Sequence, residues 1–231
     1  MQKTKPSRVI LVGVTGQKER DWRNKLGEIE KFKITEVALF LECFDKEQRK
    51  KIYNALLTSK IKSIPLVHIR NDMTVDELKF LKQNFKIRYF TIHEENFARG
   101  DIKKWKGFYK NLCLEMNFDN IVSDKVSVKK IDGFCVDLAH FKVALEKLSK
   151  DFEYVFKRRE IRKYFDCNHV NGWNPKTNCD MHTINGRKDF DYLKTLPKFL
   201  FGKIIAIEAF NPIKKQLEFK KYLADLLSKK K

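Results

Sequence analysis

The sequence predicts a single (β/α)8 barrel with short loops, one domain over residues 1–231. Three observations carry that expectation. Short apolar runs rich in β-branched residues alternate with longer polar segments of helical periodicity, eight such pairs fit into the 231 residues, and no linker, low-complexity tract or fixed repeat marks a second domain. With 42% hydrophobic residues and 19 Phe, the chain can fill a sizeable core.

The expected strands are Val9 to Gly16, Glu36 to Glu42, Ile64 to Arg70, Tyr89 to Glu95, Asn111 to Asn117, Gly133 to His140, Tyr164 to Asn171 and Lys203 to Phe210. Runs such as Val37-Ala38-Leu39-Phe40-Leu41 and Ile204-Ile205-Ala206-Ile207 are apolar at every position, as befits strands covered on both faces. Between them fall expected helices at Gln17 to Phe32, Asp45 to Lys60, Thr74 to Lys86, Gly100 to Lys110, Asp119 to Lys130, Phe141 to Arg159, Arg187 to Leu200 and Ile213 to Leu227. Asp45 can cap the second helix, and Thr74 with Glu77 makes a capping box for the third. In the sixth, Phe141, Ala144, Leu145, Leu148, Phe152 and Val155 recur at three- and four-residue spacing and form one apolar stripe. Strict alternation favours closure into a barrel, although an open doubly wound sheet shares the pattern. The segment Gly172 to Gly186 reads as a long irregular loop, and loops of that length tend to be functional.

Met1 to Ser7 carries no apolar signal-peptide core, and no apolar stretch approaches the roughly 18 residues of a membrane span, so a soluble cytoplasmic protein without a membrane partner is expected. The five cysteines are odd in number and form no Cys-x-x-Cys pair, which argues against a disulfide framework and a zinc ribbon. The formal charge of +19 suits phosphate-bearing partners such as nucleic acid or phosphorylated sugars, but a Lys-rich composition alone would also produce it.

The five histidines, His68, His93, His140, His169 and His182, all fall late in an expected strand or in the segment after it, and none in an expected helix. In a closed barrel these places converge on the C-terminal mouth, where active sites of this architecture are built. Glu115, Asp137 and Glu208 end apolar strands, where a carboxylate needs a partner to offset its desolvation. A metal ion is one such partner and separate salt bridges to Lys or Arg are the other, although no basic residue lies within those strand cores. Asp180-Met181-His182 adds another carboxylate and imidazole on the long loop. Imidazole and carboxylate without thiolate suit Zn2+, Mn2+ or Fe2+. Trp173, in the same loop, is a candidate substrate contact, whereas Trp105 is expected to pack.

Gly133-Phe134-Cys135-Val136-Asp137-Leu138-Ala139-His140, His169-Val170-Asn171, Asp180-Met181-His182 and Ile207-Glu208-Ala209-Phe210-Asn211-Pro212 together resemble the successive signatures of the endonuclease IV family of abasic-site endonucleases, within the xylose isomerase-like barrels. The resemblance implies a trinuclear zinc site made of His68, His93, Glu115, Asp137, His140, His169, Asp180, His182 and Glu208. It implies that Glu115 bridges two ions, with His68 and His93 on the first and Asp137, His169 and Glu208 on the second, while His140, Asp180 and His182 hold the third. Glu115 and Glu208 would be the catalytic carboxylates, the reaction hydrolysis of DNA 5′ to an abasic site, and the working form a monomer. Two other readings remain open. One is a sugar or sugar-phosphate isomerase or epimerase with a single ion on Glu115, Asp137, His169 and Glu208, and the other a metal-binding barrel that binds nucleic acid without catalysis.

Overall fold

In the computed structural model of the chain, residues 8–99, 101–115, 130–149, 153, 155–157 and 165–229 are described. The expected strands appear as β1 (Val9–Leu11), β2 (Gly13–Val14), β3 (Glu36–Phe40), β4 (Ser63–His68), β5 (Tyr89–His93), β6 (Leu112–Glu115), β7 (Gly133–Asp137), β8 (Phe165–Val170) and, after the short hairpin β9 (Gly172–Asn174) and β10 (Cys179–Met181), β11 (Ile204–Ile207). Nine of them form one sheet in the order β1-β11-β8-β7-β6-β5-β4-β3-β2, parallel throughout. Its two edge strands are consecutive in the chain, separated only by Val12, so the sheet is nearly closed and barrel-like.

Nine strands stand where eight were expected, because the first apolar run divides at Val12. Its opening half pairs Val9 with Ile204 on β11, and its closing half pairs Gly13 with Ala38 on β3. On the side away from β3 the N–H and C=O of Gly13 bond to the buried Gln216 side chain, at 2.7 and 3.1 Å, where a second strand neighbour would otherwise stand. The residue must be glycine, since a Cβ here would lie 2.1 Å from the Ile207 carbonyl oxygen and 2.9 Å from the Phe40 ring.

The outer elements are α1 (Glu19–Lys31), α2 (Lys46–Thr58), α3 (Val75–Phe85), α4 (Glu94–Ala98), α5 (Leu138–Glu146) and α6 (Ile213–Ser228), with 3-10 helices over Asp101–Asn111, Arg187–Thr195 and Lys198–Leu200. Asp45 caps α2 and the Thr74–Glu77 box caps α3, as expected. The expected fourth helix is a 3-10 helix kinked at Trp105, whose buried indole donates to the Met73 carbonyl at 3.1 Å. That anchor overrides helical propensity, and Trp105 packs as expected. The expected sixth helix begins three residues early, because the Asp137 carboxylate accepts the Ala139 and His140 amides at 2.9 and 2.8 Å and so starts α5 at Leu138. α5 ends at Glu146, and Leu148 leaves the expected stripe, with a left-handed φ of 51° and its side chain in solvent, while Phe141, Ala144, Leu145 and Val155 pack in or against the core and Phe152 lies outside the described residues. The seventh expected helix is two 3-10 segments, and the fifth, Asp119 to Lys130, lies outside the described residues except for Lys130. The segment expected to be irregular contains the β9–β10 hairpin, stapled by the Trp173 indole donating to Asn178 at 3.0 Å.

Two layers of core result. The larger lies between sheet and helices and includes Trp22, Leu39, Phe90, Phe134 and Phe219. The smaller fills the barrel interior with Leu11, Ala38, Phe40, Leu66, Tyr89, Cys113, Cys135, Cys167, Ile204 and Ala206. No helix among the described residues is long and apolar enough to cross a membrane.

Candidate metal centre

Side chains along a strand alternate between faces, so a residue two positions beyond an interior one also points inward, one step nearer the strand's C-terminal end. Applied to this sheet, the step leads from Leu66 to His68, from Cys113 to Glu115, from Cys135 to Asp137, from Cys167 to His169 and from Ala206 to Glu208. On β5 it leads from the buried Thr91 to His93. All these strands are parallel, so the six steps end at one mouth, and register sets His93 beside Glu115 and Asp137 beside His169. His140 follows on the first turn of α5; it lies within a helix, contrary to the reading from sequence, because the Asp137 cap begins that helix early. Asp180 and His182 arrive from the hairpin, where His182 is held by its carbonyl accepting the Phe210 amide at 2.7 Å.

The side chains meet in three groups whose donor atoms all lie within 4.8 Å of one another and which could each hold a metal ion: His68 with Glu115 and His169, His140 with Asp180 and His182, and Glu115 with Asp137, His169 and Glu208. Glu115 divides its oxygens. Oε2 lies 2.8 Å from His68 Nδ1 and 3.7 Å from His93 Nε2, while Oε1 lies 3.1 Å from His169 Nδ1. Glu208 Oε2 lies 3.2 Å from the same His169 nitrogen. Asp180 Oδ2 stands 3.5 Å from His140 Nε2 and 3.2 Å from His182 Nε2. His93, partly exposed, is in none of these groups, and His169 stands with His68 and Glu115 where His93 was expected; the His93 ring lies 4.9 Å from that of His68.

The centre is buried, and its protonation follows from that. Burial disfavours charge on Glu115, but His169 and His68 hold its carboxyl well below the usual range. Burial likewise opposes charge on His169, yet Glu115 and Glu208 raise it well above the ordinary imidazole value. His140 is raised to about 9 by Asp137 and Asp180 against its burial, and His182 to about 10, chiefly through Asp180. Burial lifts Asp137 to about 6, with His140 opposing and Glu115 and Glu208 adding to the rise. His93 is lowered, since burial outweighs its carboxylate neighbour. Protons on imidazoles thus balance the carboxylates where cations would otherwise do so.

A cation fits these atoms. His68 Nδ1, His169 Nδ1 and Glu115 Oε2 are all buried and make no hydrogen bond among the described residues, although His68 Nδ1 and Glu115 Oε2 stand only 2.8 Å apart. Donor and acceptor that close without hydrogen-bond angles are aimed past each other, as ligands sharing a third partner are. Neighbouring groups fix the remaining atoms. Thr91 Oγ1 sits 3.1 Å from His169 Nε2, which leaves Nδ1 to face the carboxylates, and Asn171 Nδ2 donates to Asp137 Oδ2 at 3.2 Å.

The nine residues named from the sequence are therefore brought together at one mouth. Trp173 faces Asp180 across the hairpin, half-buried, with Lys142 Nζ 5.0 Å over its ring and Tyr192 6.1 Å away. Thr91 is not among the candidates read from sequence, although the two-residue step points to it, whereas Asn171 stands in the His169-Val170-Asn171 motif without a role assigned, just past the end of β8. No family model matches the chain, and no curated protein matches its sequence.

Proposed function

We propose that the chain is an eight-fold β/α barrel, its first strand interrupted at Val12, that acts as a metal-dependent phosphodiesterase of the endonuclease IV type, cutting DNA 5′ to abasic sites. The observation that carries this reading is the sharing of Glu115 and His169 between two donor groups, with a third group, His140, Asp180 and His182, beside them. One ion uses about four protein ligands, so eight residues in three adjoining groups, with His93 beside Glu115, suit a multinuclear centre, with Zn2+ first and Mn2+ or Fe2+ as alternatives.

Bound divalent ions would supply an acidified water and offset charge on the attacking and leaving oxygens of a phosphodiester. The protein's own part is positional. Glu115 offers one oxygen to each side of the centre, Asp137 is held by the α5 amides and Asn171, and Glu208 is set against His169 where it can orient the nucleophile. A deoxyribose without its base is already unpaired and costs less to draw into a pocket, which favours the abasic site over intact duplex. The charge of +19 adds salt-dependent attraction to the DNA backbone.

A second reading has its own support, because Glu115, Asp137, His169 and Glu208 make a complete four-ligand site for one ion. A sugar or sugar-phosphate isomerase would need no more, its two glutamates exchanging protons on either side of the carbon chain. Elemental analysis and a nicking assay separate the two. More than one metal equivalent per chain, with chelator-sensitive 5′ nicking of an abasic duplex at low salt, is expected. At most one equivalent, with sugar phosphates interconverted and the duplex intact, would replace the nuclease reading.

A further inference from the structure

The step that leads from each interior residue to a member of the centre has one more instance. On β3, Ala38 and Phe40 both point into the barrel, and the same parity carried past the strand end gives Glu42. Leu41 keeps the chain on course there, its amide donating to the His68 carbonyl at 2.9 Å. Glu42 Oε2 is buried and has no hydrogen-bond partner among the described residues. Its other oxygen lies on the more exposed side, where the weak Cys43 thiol donor reaches it at 3.8 Å. The cation nearby is otherwise employed: Arg70 donates to the Glu42 backbone carbonyl at 3.4 Å and pairs with Asp72 at 3.2 Å.

The charged groups that act on Glu42 are His68, which favours its ionised form, and Glu208 and Glu115, which oppose it. A carboxylate oxygen taken out of water near two other carboxylates, and left without a donor, is a costly arrangement unless positive charge stands near. Glu42 is absent from the groups whose donor atoms lie within 4.8 Å of one another, so it is not a direct ligand in them. Building on the metal-centre reading, we propose that Glu42 is a tenth member of the centre, an outer carboxylate whose Oε2 accepts a hydrogen bond from a water lying between it and the position shared by His68 and Glu115. It would orient that water and add negative charge that tightens the hold on a cation.

Glu42→Gln keeps the shape and removes the charge. Zinc affinity, measured by chelator competition, is expected to fall about tenfold or more. The metal-free variant should melt at or above the temperature of the metal-free parent, since an uncompensated buried carboxylate is gone, yet gain less on addition of zinc, because stabilisation by a ligand follows its affinity. Cys43→Ser should bind zinc as the parent does. If Glu42→Gln does not fold, Glu42→Asp, which keeps the charge on a shorter arm, should bind with affinity below the parent. Affinity and zinc-induced stabilisation equal to the parent in the variant tested would overturn the proposal and leave the centre itself standing. A parent chain that binds no zinc, manganese or iron would overturn the centre, and this inference with it.

Discussion

The floor and the mouth of the barrel are built from the same strands two residues apart, and they could hardly differ more. The floor positions Cys113, Cys135, Cys167, Leu66 and Ala206 are small or apolar and sealed from solvent, whereas the positions two further on are Glu115, Asp137, His169, His68 and Glu208. Burial is nearly equal in the two layers, so exposure does not account for the change of chemistry. Buried apolar atoms stabilise the fold by leaving water, at roughly 25 cal/mol per Å2. Buried imidazoles and carboxylates give most of that back in desolvation unless something binds among them. The floor is therefore where the barrel holds together, and the mouth carries a desolvation cost that a bound cation would offset.

The sharpest test of that division is at Glu115. Glu115→Ala should lower metal affinity more than about 100-fold and remove more metal than His68→Ala, because its two oxygens face different donor groups. Equal metal loss in the two variants would refute the bridging role. On the floor, Phe40→Ala should cost about 3–5 kcal/mol of unfolding free energy while leaving metal equivalents unchanged. Its ring lies 4.9 Å from that of His169, so a parallel loss of metal in denaturant-matched samples would show that floor and mouth are not separable.

Protonation offers a third, smaller test. His140 and His182 are raised to about 9 and about 10 when the protein is metal-free, above their ordinary value of 6.5. Their stabilising contribution is complete below about 6.5 and is lost as pH rises through 9 to 10. Asp180, held below its ordinary 3.8 by His140 and His182 against the effect of burial, contributes above that value and loses its contribution as pH falls. The metal-free protein should accordingly lose stability as pH rises from 6.5 to 10, and metal should abolish the loss by displacing the protons. Denaturant titrations at the two pH values, with and without zinc, read both signs; a metal-free chain whose stability is flat over this range would contradict the assignment. The smallest effect is expected from Thr91→Val, which frees His169 Nε2 from its partner and should weaken zinc binding about tenfold with little change in metal-free stability.

The strand positions were legible because burial on both faces leaves uninterrupted apolar runs such as Val37 to Leu41, and the ligands because His, Glu and Asp are conspicuous where such runs end. Strand ends were drawn two or three residues long on β3, β4 and β7, since a ligand just past a strand keeps its parity after the ladder has stopped. What could not be read was tertiary. The Trp105 kink depends on Met73, the break at Val12 on Gln216 from the other end of the chain, and the early start of α5 on a cap supplied by a residue already counted as a ligand. Glu42 ends an expected strand, where only the parity of Ala38 and Phe40 distinguishes it from a surface carboxylate.

The three floor cysteines also give the barrel a built-in clock. Thiols react with alkylating reagents only as accessible thiolates. Cys43 and Cys179 are exposed, whereas Cys113, Cys135 and Cys167 are at most 1% exposed, and burial helps push all three thiols up. Under a pulse long enough to label Cys43, whose thiol burial and Glu42 push up to about 11, intact molecules should gain two labels and molecules whose sheet has parted should gain five, with few in between. Mass spectrometry of such samples would count open barrels directly, and following that population over time would measure how often the ring of strands comes apart.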